Sequence, residues 1–241
     1  MSGHSKWATI KRKKAATDAK RGKIFTTIIK EITIAARDGG GDIESNPRLR
    51  QAVANAKSAN MPSDNIQRAI KKGTGELPGV TYEEATFEGY GPAGVAIMVE
   101  CLTDNRKRTV AEIRHLMTKY GGNLGENGSV NWMFDKKGQV TIKANGQDEE
   151  MVFNAALEAG ADDFEAEGDV FVVTTDPTQI MSVRDNLENS GYEIESANVD
   201  MVPKNLQNVD SEKEGSVITL LEALEDHDDI KAVYTNFDSE D

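Results

Sequence analysis

The sequence predicts an α+β protein of three domains: an N-terminal three-helix bundle and two ferredoxin-like α/β units, one inserted into the other. Three observations support this fold class. Apolar residues recur at helical spacing as far as residue 73, the pattern then changes to strands alternating with helices, and residues 139–202 follow the order βαββαβ. The predicted domains are 1–75, 76–134 joined with 204–241, and 135–203.

The first helix is predicted over residues 17–37. Phe25, Ile28, Ile29 and Ile32 lie three or four residues apart, so they would share one face of a helix. The pattern ends where an aspartate is followed by three glycines, which is typical of a helix end.

Two further helices are predicted to complete the bundle. Asn46 followed by Pro47 indicates a helix start, because asparagine caps a helix and proline suits its first position. That helix is expected to continue to residue 59. Ser63 is expected to cap the third helix, and Gly73 to end it in a left-handed conformation.

The chain between residues 73 and 79 has the composition of a linker, rich in Gly, Thr, Pro and Glu. Beyond it we predict strands over 82–87, 95–102 and 130–134, with a helix led by Val110 before the last of them. The βαββαβ unit is predicted to consist of strands 139–143, 162–167, 170–175 and 193–201 and helices 149–159 and 177–190.

One helix, containing Leu220 and Leu224, and one strand, over 230–234, remain after Pro203. These two elements alone cannot bury their apolar faces. Joined to the elements before residue 134, they have the content of a second ferredoxin-like sheet in permuted order. We therefore expect residues 135–203 to be an insertion, and the acidic end, residues 237–241, to be frayed.

The charge of the chain is divided unevenly. Residues 1–72 contain 16 basic and 6 acidic residues, whereas the remainder contains 12 and 35, and the whole chain has a net charge of −13. Exposed charges are screened beyond roughly 8–10 Å at ordinary ionic strength. A polyanion that approached the basic part would therefore interact mainly with that part, and the acidic remainder would position the protein or meet a protein partner.

The basic arm, residues 5–14, has the composition of a nucleic-acid-binding segment. Each Lys or Arg that neutralises a phosphate releases counterions, and Trp7 offers a flat face on which a base could stack. The alternative is a solvated terminus with Trp7 packed against the bundle.

A second basic run starts a predicted helix after Asp104 or Asn105, which suit its cap. It could clamp a phosphate or decorate a turn with salt bridges. The candidate nucleic-acid-binding residues are Lys6, Trp7, Lys11, Arg12, Lys13, Lys14, Lys20, Arg21, Lys23, Arg106, Lys107 and Arg108.

Two glycine-rich stretches, residues 89–94 and 121–128, lack the spacing of a nucleotide-binding loop. We expect tight connections between strands at both stretches. A phosphate cradle built from backbone amides, or a loop at 121–128 that closes on a partner, is the alternative.

Several classes of protein are not expected. No apolar run is long enough to cross a bilayer, and the N-terminus lacks the apolar stretch of a secretory signal. The single cysteine, Cys101, excludes an internal disulfide, so we expect a cytoplasmic protein with a buried, inert thiol. His4, His115 and His227 form no catalytic or metal-binding pattern. We expect no enzyme activity, no metal and no cofactor.

Short motifs along essentially the whole chain resemble those of the YebC/PmpR family, which is related to the mitochondrial translational activator of cytochrome c oxidase. The residues that carry the resemblance are Gly3-His4-Ser5-Lys6-Trp7 with Ile10-Lys11 and Lys13-Lys14, Asp18-Ala19-Lys20-Arg21-Gly22-Lys23, Ala59-Asn60-Met61-Pro62 with Ile66 and Ile70, Glu88-Gly89-Tyr90-Gly91-Pro92, Thr103-Asp104-Asn105-Arg106-Lys107-Arg108-Thr109, and Gly121-Gly122 with Gly128-Ser129-Val130.

The resemblance implies a cytoplasmic, non-enzymatic protein with an all-α head and two α/β units. Members are commonly described as DNA-binding transcriptional regulators, whereas the mitochondrial relatives and some bacterial ones act in translation at the ribosome. The two hypotheses for this chain are therefore a DNA-binding transcriptional regulator and a translation factor that binds ribosomal RNA. A third hypothesis is a hydrolase that uses the 121–128 loop and Arg106 to Arg108, but the sequence contains no recognisable catalytic group for it. The oligomeric state stays open.

We predict that changing Lys11, Arg12, Lys13 and Lys14 together to Ala weakens nucleic-acid binding. The plot of log affinity against log salt concentration should become less steep by about one unit for each phosphate that is no longer neutralised. Filter binding at several salt concentrations measures this slope, and an unchanged slope would count against the basic arm.

Overall fold

Three helices form the helical head, residues 18–75. The computed structural model describes Trp7 and residues 18–239, with side chains from Gly22 onward besides that of Trp7. The helices are α1 (Asp18–Gly39), α2 (Pro47–Ser58) and α3 (Ser63–Gly73). Ile32, Leu49 and Ile66 meet in their shared core. The periodicity of the sequence therefore located all three helices.

The start of α2 confirms the cap that the sequence predicts. The Asn46 side chain accepts a hydrogen bond from the backbone N–H of Leu49 at 3.0 Å, and Pro47 is the first helical residue. The cap satisfies one of the N–H groups that a helix start leaves unpaired.

The two ends predicted for α3 are wrong. Ser63 is the first residue of the helix and no side chain caps it. Gly73 lies inside the last turn, and the left-handed residue is Gly75, with φ of +82°. A Cβ at Gly73 would lie 2.4 Å from the carbonyl oxygen of Thr33 and 2.7 Å from the Cβ of Ala36. Glycine is needed there because α1 and α3 approach closely.

Strands and helices alternate over the rest of the chain. In order they are β1 (Glu83–Tyr90), β2 (Ala96–Thr103), α4 (Arg106–Lys119), β3 (Asn123–Leu124), β4 (Phe134–Lys143), α5 (Glu149–Ala159), β5 (Asp163–Glu167), β6 (Val170–Thr175), α6 (Ile180–Asn189), β7 (Ile194–Pro203), β8 (Gln207–Val209), α7 (Ser211–Glu225), β9 (Ile230–Thr235) and β10 (Phe237–Ser239). The predicted α+β class is confirmed.

The first sheet unit comprises residues 82–133 and 204–239. Its sheet has the strand order β3-β1-β2-β9, and all neighbours are antiparallel. Alternate residues of each strand face the same side. Phe87, Val99 and Val233 pack against Ile113 of α4 and Leu220 of α7. The two helices therefore cover one face of the sheet.

The second sheet unit comprises residues 134–203. Its antiparallel strand order, β5-β6-β4-β7, is that of a ferredoxin-like βαββαβ unit, as the sequence predicts. Phe134 and Pro203, where the chain enters and leaves, are paired across β4 and β7. Because the chain enters and leaves this unit at neighbouring points, the unit can lie between two consecutive segments of the first sheet unit without separating them.

The opposite face of the first sheet contacts the entrance to the second sheet unit. Ala96 and Met98 of β2 pack with Val130 and Phe134 in a separate apolar cluster. The chain at 130–134 is not the strand that the sequence predicts. Asn131–Met133 form a 3₁₀ turn, and β4 begins at Phe134.

The end of the chain is also more ordered than predicted. Phe237–Ser239 pair as a parallel strand with Gln207–Val209, and Phe237 is fully buried. The Asn236 side chain accepts a hydrogen bond from the N–H of Ala96 at 2.8 Å. The frayed end expected over 237–239 is therefore wrong, whereas residues 240 and 241 lie outside the described part of the chain.

Cys101 lies in the core of the first sheet unit, on β2. Burial raises the pKa of its thiol to about 12, since the thiolate would lose its hydration. The burial that the sequence predicts for this thiol is confirmed. Among the described helices, none is both long enough and apolar enough to cross a membrane.

Candidate nucleic-acid interface

Trp7 is buried in the core of the first sheet unit, where 3% of its surface remains exposed. It belongs to the same apolar cluster as Phe87, Val99 and Val233 of the sheet, and not to the core cluster of the helical head. Neither face of the ring is open to a base. This corrects both the stacking role and the alternative packing site expected for Trp7.

Lys23 attaches α1 to the C-terminal end of α7. Its Nζ donates hydrogen bonds to the carbonyl oxygens of Glu225 and of His227, the latter at 2.8 Å. The last carbonyls of a helix have no partner within the helix and form the negative end of its dipole. Lys23 thus has a docking role within the protein.

Asp229 is the centre of a buried ionic cluster. Its carboxylate accepts hydrogen bonds from Lys30 Nζ at 3.0 Å, Arg108 Nη2 at 2.6 Å and Thr109 Oγ1 at 2.9 Å. The Lys30 and Asp229 side chains are 9% and 8% exposed. Burial alone would raise the pKa of this carboxyl, but the hydrogen bonds from Arg108, Lys30 and Thr109 outweigh burial and lower it below its usual value.

The three cations of the second basic run, for which the sequence left a phosphate clamp and surface salt bridges as alternatives, have different surroundings in the structure. Arg108 pairs with Asp229 and, at 2.8 Å, with Asp104, so it follows the salt-bridge alternative. Lys107 is exposed, and the exposed Arg106 guanidinium lies 5.7 Å from the ring centre of Phe87. Asn105 caps α4 by accepting the N–H of Arg108, as one of the two expected caps.

Seven of the predicted binding residues lie where the structure gives no side chain. Lys6, Lys11, Arg12, Lys13 and Lys14 fall outside the described residues. The helix backbone is described at Lys20 and Arg21, but their side chains are not.

An exposed cationic face on α3 is absent from the predicted binding set. Arg68, Lys71 and Lys72 lie at i, i+3 and i+4, on the side of the helix opposite the buried Ile66 and Ile70. Their side chains make no ion pair or hydrogen bond with any other described residue. We call these three residues the α3 cationic face. Their spacing opposite an apolar stripe is a sequence signal that could have identified them.

Arg48, by contrast, is used within the protein. It pairs with Glu31 of α1 at 2.9 Å and with Glu84 of β1 at 2.6 Å. Lys231 of β9 also pairs with Glu31, at 3.2 Å. These pairs join the helical head to the first sheet unit, so part of the basic character of the head serves docking.

The glycine-rich loop over residues 121–128 is held by a carboxylate of the protein itself. Glu88 accepts the backbone N–H groups of Gly128, Val130 and Asn131 at 2.7, 2.8 and 2.8 Å. Burial opposes the charged form, but these backbone hydrogen bonds outweigh it and lower the pKa of Glu88. The amides at this end of the loop therefore bind Glu88, which supports a structural connection over a phosphate cradle.

Glu112, His227 and Asp229 bring three possible metal-ligand atoms within 4.8 Å of one another. His227 Nδ1 accepts the N–H of Asp229, so its Nε2 carries the proton that faces Glu112 at 2.9 Å. The ammonium of Lys30 and the guanidinium of Arg108 already neutralise Asp229. The group is better described as part of the ionic cluster than as a metal centre.

Comparison with known proteins gives consistent matches over the described fold. A family model described as the TACO1/YebC protein N-terminal domain matches residues 5–76, and one described as the TACO1/YebC second and third domain matches residues 82–237. A crystal structure of a conserved hypothetical protein from Aquifex aeolicus matches with a TM-score of 0.92 and 47% identity, covering 98% of each chain.

Curated relatives have a common description. Proteins named probable transcriptional regulatory protein are 56% identical in Desulforapulum autotrophicum, over 100% of this chain and 98% of the relative, and 58% identical in Desulfotalea psychrophila, over 99% and 96%. The relative in Geobacter sulfurreducens, with the same description, is 56% identical over 99% and 96%.

We predict that Asp229→Asn lowers the free energy of unfolding by about 3–5 kcal/mol, because it leaves the buried Lys30 ammonium without its anion. Asp38→Asn, which removes an exposed partner of Arg37, should cost about 0–1 kcal/mol. Denaturant titration measures both, and equal costs would contradict the buried role of Asp229.

The effect of Asp229 should also depend on pH in a defined direction. A carboxyl whose pKa is lowered by folding contributes its full stabilisation above its unfolded pKa, about 3.9. The difference in free energy of unfolding between the wild type and Asp229→Asn should therefore be constant near neutral pH and shrink as the pH falls below about 4. Denaturant titrations at several pH values measure it.

Proposed function

The chain belongs to the TACO1/YebC family, and from this premise we propose that it is a non-enzymatic, nucleic-acid-binding regulator of gene expression that acts on DNA as a transcriptional regulator. The names of the curated relatives support regulation of transcription. We also propose that residues 1–75, 76–134 with 204–241, and 135–203 are its domains.

The observation that carries the proposal is the α3 cationic face. Two cations of the helical head, Lys30 and Arg48, form ion pairs within the protein. Arg68, Lys71 and Lys72 stay exposed, although the chain as a whole has a net charge of −13. Retaining three adjacent cations that have no anionic partner among the described side chains is costly to folding through self-repulsion and favours a polyanion as their ligand.

The basic arm extends the proposed contact surface. Residues 5–14 carry Lys6, Lys11, Arg12, Lys13 and Lys14, and the arm precedes the same helical head that presents the α3 cationic face. Lys20, Arg21 and the exposed Arg106 and Lys107 remain in the proposed binding set. We remove Trp7, Lys23 and Arg108 from it, since each has partners inside the protein.

Ribosomal RNA is the second candidate ligand, and one feature of the structure favours it. The exposed side chains of the α3 cationic face are lysines and an arginine, which suit phosphate oxygens, and phosphate contacts position a protein without reading sequence. A large folded RNA can be recognised by its shape and backbone, whereas a promoter must be distinguished from other duplexes.

Replacing Arg68 and Lys71 together by Ala tests the proposal. Binding should weaken, and the slope of log affinity against log salt concentration should become less steep by about two units, since the variant neutralises two fewer phosphates. A matched control changes Lys143 and Lys213, two cations of the sheet units, to Ala. Its slope should equal that of the wild type.

The measurement is made with duplex promoter DNA and with purified ribosomes. A footprint on a specific promoter at moderate salt concentration, without co-sedimentation with ribosomes, supports the transcriptional role. Co-sedimentation with ribosomes, without a specific promoter footprint, supports the translational role. Binding to neither, or equal slopes for the two double variants, would refute the α3 cationic face as the contact surface.

A further inference from the structure

Trp132 is the exposed tryptophan of this chain, which contains two. Its side chain is 66% exposed, whereas that of Trp7 is 3% exposed. Tryptophan buries more apolar surface than any other side chain when it packs into a core. Burial of the indole therefore stabilises the fold at Trp7, whereas the exposed indole of Trp132 contributes little of this stabilisation.

The ring of Trp132 is held in place although it is exposed. Its Nε1–H donates a hydrogen bond to the carbonyl oxygen of Ser129 at 3.1 Å. The same oxygen accepts the hydroxyl of Tyr90 at 3.0 Å, and Val130 beside it is fully buried. The indole thus has its polar group satisfied within the protein while most of its surface faces solvent.

The backbone of the segment that carries Trp132 is held by the Glu88 carboxylate. This carboxylate binds the amides of Gly128, Val130 and Asn131, and Met133 N–H donates to the carbonyl oxygen of Val130 at 2.9 Å. A side chain that is ordered before its ligand arrives loses little conformational entropy on binding. The loop therefore presents Trp132 as a preorganised surface.

Two lysines lie on backbone segments that adjoin the turn carrying Trp132. Lys136 is exposed and follows on β4, and the backbone N–H of Lys204 donates to the carbonyl oxygen of Met133 at 2.9 Å. Lys204 Nζ pairs with Asp135 at 3.2 Å, with both side chains about half exposed. Such a surface pair contributes little to stability, so Lys204 can exchange Asp135 for a phosphate at small cost.

From these observations we infer that Trp132 is a stacking site for an unpaired base of a nucleic acid. An exposed aromatic ring combined with nearby cations is how proteins hold single-stranded nucleic acid, with the base on the ring and the backbone at the cations. A base inside a duplex already stacks on both sides and offers the ring no free face. The inference rests on the proposed nucleic-acid binding and adds to it one site, at Trp132, that prefers unpaired bases.

Tryptophan fluorescence tests this directly, because Trp7→Phe leaves Trp132 as the sole tryptophan. Adding a thymidine or adenosine homo-oligomer should quench its emission, and the matching duplex should quench it much less. If Trp7→Phe does not fold, the spectrum of the wild type minus that of Trp132→Phe gives the same signal. Saturable binding of the single strand without quenching would overturn the inference.

Affinity gives a second readout that separates stacking from charge. Trp132→Ala should weaken binding of the single strand about 5- to 150-fold, the range that loss of one stacked base implies. The salt slope should stay at the wild-type value because the substitution removes no cation. Trp132→Phe should restore part of the affinity, and the control Met151→Ala, at a residue 68% exposed on α5, should change nothing.

The failures of the two proposals are distinguishable. If single strands bind and Trp132→Ala binds equally well, the stacking site is refuted while the α3 cationic face stands. If neither strands nor duplexes bind at any salt concentration, both are refuted. A changed salt slope in Trp132→Ala would show that the residue acts through the fold and would also overturn the inference.

Discussion

The ionic cluster around Asp229 is the interaction on which the arrangement of this protein depends. It joins α1 of the helical head, through Lys30, to α4 of the first sheet unit, through Arg108 and Thr109. A buried carboxylate is tolerated only if cations and hydrogen bonds replace its hydration. The cluster meets this condition with two cations, Lys30 and Arg108, and both are thereby used within the protein.

Two tryptophans illustrate how the same residue type is used in opposite ways. Trp7, next to the most basic segment of the sequence, is absorbed into the core of the first sheet unit. Trp132, next to a glycine-rich loop, is held at the surface by Ser129 and, through the backbone, by Glu88. Composition alone favours the first as a ligand-binding residue, and the structure favours the second. Surface charge and an open aromatic ring need not come from the same segment.

The sequence predicted those features that depend on neighbouring residues. The Asn46-Pro47 helix start, the helix over 149–159 and the strand over 170–175 follow from local capping and periodicity. The order βαββαβ was enough to predict the topology of the second sheet unit. Features that depend on distant partners were missed: Gly73 packs on α1, Phe237–Ser239 pair with β8, and Arg108 binds Asp229, which lies 121 residues further along the chain. A pattern over ten residues carries no information about such pairings.

Some basic residues of this protein serve docking within the protein, and others are left for a ligand. The most direct test is to acetylate the lysines with and without nucleic acid and to measure by mass spectrometry how fast each one reacts. Lys30 should react slowly in both states, because its ammonium is buried against Asp229. Lys71 and Lys72 should react quickly in the free protein and be protected by the ligand. Rapid modification of Lys30 in the free protein, or unprotected Lys71 and Lys72 in the saturated complex, would contradict this partition.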